Sequence, residues 1–178
     1  DDNYSMGLLN LKNRGSYDEI SRFMTISMGR KVKIKDWQYE GLEKRDNGSI
    51  RVIGFEGIKS DIMTKSYEYN NKISNLGEKL KSEGISYIGG DVSSLIACDD
   101  DGNIDSGEIE VQYDENWLVS KTKYHLNKSN VLVLSYDIEE KNERIQILKN
   151  YLEYIKEYNI IIFPKEVAPS MKKGTNKW

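Results

Sequence analysis

Apolar residues in this chain fall into short clusters separated by polar turns, and their spacing changes several times. Ser16-Tyr17-Asp18-Glu19 has the form of a capping box. Ile20, Phe23, Met24 and Ile26 to Met28 follow, so the pattern predicts a helix that Gly29 closes. From Val32 the spacing turns strand-like, with Trp37 and Tyr39 in the opposite phase and a bulge expected near Asp36. Asp46-Asn47-Gly48-Ser49 is a turn, and Ile50 to Phe55 returns, which predicts a hairpin over residues 32 to 55. Ser60 then caps an expected helix from Asp61 to Ser82, with Ile62, Tyr69, Ile73, Leu76 and Leu80 on one face. Beyond Gly84, strands are expected at Ile85 to Ile88, Leu95 to Cys98, Glu108 to Tyr113, Trp117 to Tyr124 and Val131 to Tyr136. A last helix is expected from Ile138 to Tyr158 on Ile145, Leu148, Leu152 and Ile155, followed by a strand from Ile160 to Phe163.

This order predicts an α+β fold. The expected architecture is a mixed or antiparallel sheet backed by two or three helices, a ferredoxin-like plan with additions. Residues 1-178 read as a single domain, with 1-15 and 165-178 as terminal extensions. No run is apolar and long enough to span a membrane, and no signal peptide is visible. The chain opens on Asp1 rather than Met, which reads as a processed or trimmed product. Abundant Lys, Asn, Ile and Tyr fit coding in an AT-rich bacterium.

Charge changes the picture little. The net charge is -3, from 26 basic and 29 acidic residues, which argues against a nucleic-acid binder. The basic concentration at Lys165, Lys172, Lys173 and Lys177 reads as a solvated end. Cys98 is the only cysteine, so no intrachain disulfide forms, and it reads as a small hydrophobe. His125 is the only histidine, which argues against a triad or a two-histidine metal site. A Cys98–His125 dyad is the sharper alternative; a surface or strand-end histidine is the plainer one.

The most pointed local motif runs from Asp99 to Glu108. Set against a calcium loop, Asp99, Asp101, Asp105 and Glu108 fall at positions 3, 5, 9 and 12, with Gly102 at the turn position 6. Ala97 stands where the first ligand belongs, and the flanks read as strands. The pattern favours an acidic hairpin turn. Calcium bound there would be held weakly and through oxygen alone, and no other cofactor is expected. Gly89-Gly90-Asp91 with Ser93 and Ser94 lacks the spacing of a phosphate loop and reads as a flexible turn. Asp137, Glu139, Glu140 and Glu143 read as the acidic start of a helix rather than an acid/base pair. With 12 Tyr and 3 Trp, the chain can build a protein-binding surface. Tyr151, Tyr154 and Tyr158 share one sector of the last helix, where they either widen its core face or offer an aromatic edge.

Val32, Ile34, Trp37, Gly48, Ile50, Val52 and Gly54 precede an amphipathic stretch from Asp61 to Leu80. On these, residues 19 to 81 resemble the periplasmic domain of type IV pilus assembly proteins of the PilN kind, or a pilin-like head domain. It implies assembly through protein contacts, without a reaction or cofactor, in an extracytoplasmic ectodomain of the bacterial cell envelope. Any membrane attachment would come through a segment missing from this chain. The expected function is therefore a non-enzymatic protein-interaction domain with a protein partner. Two alternatives stand beside it: a cytoplasmic partner-binding or inhibitory module of the immunity or anti-defence type, and a cation-dependent enzyme using carboxylates.

Overall fold

The computed structural model describes residues 19–34, 38–65, 73–138 and 140–161. The chain folds as an α+β protein, and the strands of its described residues divide between two three-stranded sheets, one antiparallel and one parallel, where the pattern predicted one sheet. The antiparallel sheet contains β1 (Gly41–Lys44), β2 (Ile50–Ile53) and β4 (Asn103–Ile104), in that order. The parallel sheet has β3 (Ile85–Ile88) at its centre, flanked by β5 (Ser106–Glu108) and β6 (Val131–Leu134).

The two sheets share one piece of chain. β4 pairs with β2, with Ile50 opposite Ile104. One residue later the same segment becomes β5 and pairs with β3, with Gly107 opposite Tyr87. Asp105, at the junction, accepts the Ile85 amide at 3.3 Å and so holds the start of β3 beside the crossing. The Gly107 amide donates to the Gly48 carbonyl at 3.3 Å, which ties the β1–β2 turn to the parallel sheet.

The described residues also form five helices: α1 (Glu19–Met28), α2 (Phe55–Lys65), α3 (Leu76–Lys79), α4 (Glu115–Leu126) and α5 (Lys141–Tyr154). A 3₁₀ helix spans Val92–Ile96. The α1 helix ends at Gly29 with φ 65°, as its pattern predicted. Met24, Ile50, Val52, Ile58, Tyr87 and Leu95 lie in the main core. A smaller cluster, built on Leu118, Tyr151 and Ile155, joins α4 to α5.

Several expectations are corrected. The hairpin is shorter than predicted: Val32 and Ile34 are not in a strand, and the expected bulge at Asp36 lies outside the described residues. The second helix begins at Phe55, not Asp61, because Phe55, Ile58 and Ile62 form a buried stripe of spacing 3 and 4. Within the helix expected from Asp61 to Ser82, residues 73 to 75 are not helical, and Ser74 has φ 49°. Leu95 to Cys98 is not a strand, since the 3₁₀ helix runs through Ile96. The strand expected over Glu108 to Tyr113 ends at Glu108.

The largest correction is Trp117 to Tyr124, which is the middle of α4. Asp114 caps this helix, accepting the Trp117 amide at 3.0 Å. Its buried face is Leu118, Thr122 and His125, spaced 4 and 3. Of the expected α5 stripe, Ile155 is buried and Leu152 packs beside it, whereas Ile145 is exposed, and Tyr151 is buried in addition. Tyr154 and Tyr158 are exposed, so the three tyrosines do not share an environment. The strand expected at Ile160 does not form at residues 160 and 161, and the rest of it lies outside the described residues.

Candidate functional site

The acidic turn from Asp99 to Asp105 forms, but its carboxylates face different partners. Asp99 folds back on its own turn: one oxygen accepts the amides of Asp101 at 2.9 Å and Asn103 at 2.8 Å. Its other oxygen meets the Lys81 ammonium at 3.2 Å. Asp100 accepts the amides of Ser74 and Asn75 at 3.2 and 3.3 Å. Asp101 pairs with Lys59 at 2.9 Å, and that hydrogen bond holds its carboxyl below the usual range. Asp105 is engaged by β3, and Glu108 lies at the far end of β5. Among the described residues, no group of three or more His, Cys, Asp or Glu converges as a metal site. What the turn does in this fold is cap backbone amides and pair with lysines.

Beside it lies a groove of about 290 Å³ lined by Arg45, Arg51, Phe55, Glu56, Lys59, Asp101 and Asn103. Its Arg51 pairs with Glu56 at 2.6 Å and its Lys59 with Asp101, so most of its charge is matched locally.

The Gly89-Gly90 loop is filled by side chains. Asp91 caps the 3₁₀ helix, accepting the Ser93 amide at 2.9 Å, and also accepts the Tyr87 and Ser135 hydroxyls at 3.1 and 2.7 Å. A carboxylate in this position repels a phosphate. Burial pushes the Tyr87 phenol well above its ordinary pKa and the Tyr39 phenol up to about 12.

Cys98 and His125 do not meet in their contacts. The thiol is fully buried in the main core beside the Leu95 carbonyl and the Asn75 amide, and burial pushes its pKa upward. His125 is not a surface or strand-end residue; it sits in α4 and is 2 % exposed. Its Nδ1 lies 3.1 Å from the Ser106 hydroxyl, and its Nε2 lies 3.6 Å from Glu108. Ser106 in turn meets Ser86 at 2.9 Å, and Ser86 meets Ser129 at 2.6 Å.

Hydroxyl, imidazole and carboxylate thus fall in the order of a hydrolase relay, which a count of histidines had argued against. The geometry is that of a tie between α4 and the sheet. The ring is enclosed, the Ser106 hydroxyl is held between it and Ser86, and 3.6 Å exceeds hydrogen-bond reach. Burial pushes the His125 pKa down, and the nearby Glu108 charge opposes this without overcoming it.

A pH dependence follows. In the folded state His125 takes up a proton at lower pH than in the unfolded chain, where it does so near pH 6.5. This contribution to stability is full above that pH and is lost progressively as the pH falls below it. Glu108 acts in a lower window. Burial raises its pKa, but hydrogen bonds from Lys121 and Lys44 outweigh this and leave it below the ordinary carboxylate value. Its contribution is lost only as the pH falls through that lowered value. The urea midpoint is therefore expected to drop between pH 7.5 and 5.5 in the native chain, and to drop less in His125→Gln. An equal drop in both would remove His125 as the cause.

The accessible feature nearest this tie is the outer edge of α4. Trp117, Lys121 and Tyr124 recur at spacings of 4 and 3, and Lys128 follows in the turn after the helix. The Lys121 ammonium lies 5.8 Å from the Trp117 ring centroid. That of Lys128 lies 4.1 Å from the Tyr124 ring centroid and donates to its hydroxyl. This contact holds the Tyr124 phenol below its usual pKa. Tyr124 is 49 % exposed, whereas Trp117 packs against the α4–α5 cluster. Glu108 anchors the inner side, accepting Lys44 at 2.5 Å and Lys121 at 2.6 Å.

This edge was not legible beforehand, because the segment reads as a strand and a strand places Trp117 and Lys121 in another relation. No protein-family model matches the chain, and the searches of curated proteins and of solved structures likewise returned no match. The class that can be stated is therefore an α+β protein with an aromatic and cationic helix edge.

Proposed function

We propose that this chain is a protein-interaction domain that engages a protein partner through the outer edge of α4. One observation carries the reading: two aromatic rings are each overlain by a lysine ammonium on one helix edge, with Tyr124 half exposed. Aromatic residues with an apolar body and a polar tip supply much of the energy of protein interfaces. A ring held in place by a cation loses little freedom on binding. The resemblance of residues 19 to 81 to PilN-type domains adds the setting, an extracytoplasmic assembly of the bacterial cell envelope.

The test is affinity capture from source-cell extract, then reconstitution from purified components and titration by calorimetry. Tyr124→Ala is expected to weaken the reconstituted complex about tenfold or more, the effect of truncating an interface anchor by roughly 1.4 kcal/mol or more. The chain's melting temperature should change little, because the ring is exposed. A partner that binds native chain and variant equally would overturn the assignment of this edge.

A further inference from the structure

We infer that the partner segment received by the α4 edge is acidic, its carboxylates facing Lys121 and Lys128 and an apolar side chain resting on Tyr124. This rests on the reading of α4 as an interaction surface and adds the chemistry of what it binds.

The argument is one of local charge. Lys121 and Lys128 lie along this edge, and Lys44, from the end of β1, joins Lys121 at Glu108. Lys44 and Lys121 share the single carboxylate of Glu108, at 2.5 and 2.6 Å. Among the described residues Lys128 has no ion-pair partner; its ammonium rests on the Tyr124 ring and hydroxyl. Three cations against one carboxylate leave two positive charges uncompensated, on a chain whose net charge is -3. The patch therefore has the opposite sign to the molecule, the arrangement that steers an acidic partner to one place.

Glu108 is only 14 % exposed at its side chain, while those of Lys121 and Lys44 are 34 % and 38 % exposed. The cations are thus the groups an approaching segment meets first. A bound carboxylate can reach Lys121 from the solvent side while Glu108 holds it from within. Nucleic acid fits less well, because a phosphate backbone needs a longer basic track and is repelled by the remaining net negative chain.

The experiment uses the full chain, isotope-labelled, with poly-L-glutamate as the acidic probe and an oligothymidylate as the control anion. At low salt, poly-L-glutamate is expected to shift the amide signals of residues 117 to 128 and of Lys44, and added salt should reverse the shifts. Lys121→Ala/Lys128→Ala should weaken probe binding about fivefold, as expected for two exposed ion pairs of under 1 kcal/mol each. Shifts mapping elsewhere, no shifts, or tighter binding of the oligothymidylate to the same residues would overturn the proposal.

The two levels of the reading fail separately. A reconstituted partner weakened by Tyr124→Ala but indifferent to Lys121→Ala/Lys128→Ala keeps the surface and removes the acidic partner. One indifferent to Tyr124→Ala removes the surface itself.

Discussion

Gly107→Ala is expected to destabilise the fold by about 3 kcal/mol or more, the upper end of what overpacking a closed interior costs. A Cβ at this position would lie 2.1 Å from the Tyr87 carbonyl oxygen and 2.6 Å from the Ile50 side chain. The first neighbour is backbone in the central strand of the parallel sheet, so it cannot rotate away. The second belongs to the middle strand of the antiparallel sheet and is fully buried. Gly107 therefore stands where the two sheets close on each other, and a methyl group there must push them apart.

Urea denaturation would show this as a lower midpoint with little change in slope, and thermal melting as a fall of roughly 6 to 12 °C. Gly57→Ala is the control. That residue is inside α2, and its added Cβ would meet only the Gln38 side chain at 3.4 Å. There the helix preference for Ala over Gly should leave stability equal or raise it by about 0.5 to 1 kcal/mol. If both variants behaved alike, the sheets would not be in tight contact at residue 107.

The contrast between these two glycines shows what the chain makes legible and what it hides. The α+β class and the positions of β3, β6 and α1 follow from clusters of apolar residues bounded by turn residues, and these stand out in one dimension. Gly107 does not. It looks like any turn glycine after Asp105-Ser106, and its importance comes from two strands distant in sequence, at Tyr87 and at Ile50.

The α4 helix was hidden for a different reason. Two of its three buried positions are Thr122 and His125, so its 3.6-residue period is written partly in polar residues. Their polarity is satisfied inside: Thr122 meets the Tyr151 hydroxyl at 2.7 Å, and His125 meets Ser106. Val119 and Thr122 beside Trp117 and Tyr124 favour a strand by local preference, and tertiary contacts override it. The candidate site inherits that concealment, because its rings and ammonium groups come into register only once the segment is helical. The Asp99 to Asp105 turn, by contrast, was plain in the chain, and there the surprise lies in its partners: lysines and amides take up its carboxylates.

Asp91→Ala is expected to cost about 2 to 3 kcal/mol, although its carboxylate is only partly buried. Removing it strands the Ser135 hydroxyl, in a residue 5 % exposed, and leaves the Ser93 hydroxyl with the Tyr87 hydroxyl as its remaining partner. It also uncaps the 3₁₀ helix at the Ser93 amide. A lost cap contributes about 1 kcal/mol, the stranded Ser135 hydroxyl a comparable amount, and the lost Ser93 bond a smaller one. The Tyr87 hydroxyl is less affected, because it keeps the Asp91 carbonyl and Ser93.

Asp91→Asn separates geometry from charge. Its amide oxygen can replace the acceptor used by Ser93, and its amide nitrogen can donate to the Ser135 oxygen. More than half of the lost stability should therefore return, measured as the urea midpoint at neutral pH. The comparison bears on function as well as on folding. If Asp91→Ala melted like the native chain, the carboxylate would be dispensable to the architecture, and the loop at Gly89 and Gly90 would regain its claim as a ligand site. If the alanine variant falls and the asparagine variant recovers, the loop is a structural joint between β3, the 3₁₀ helix and the end of β6. The aromatic and cationic edge of α4 is then the surface left to carry the proposed recognition.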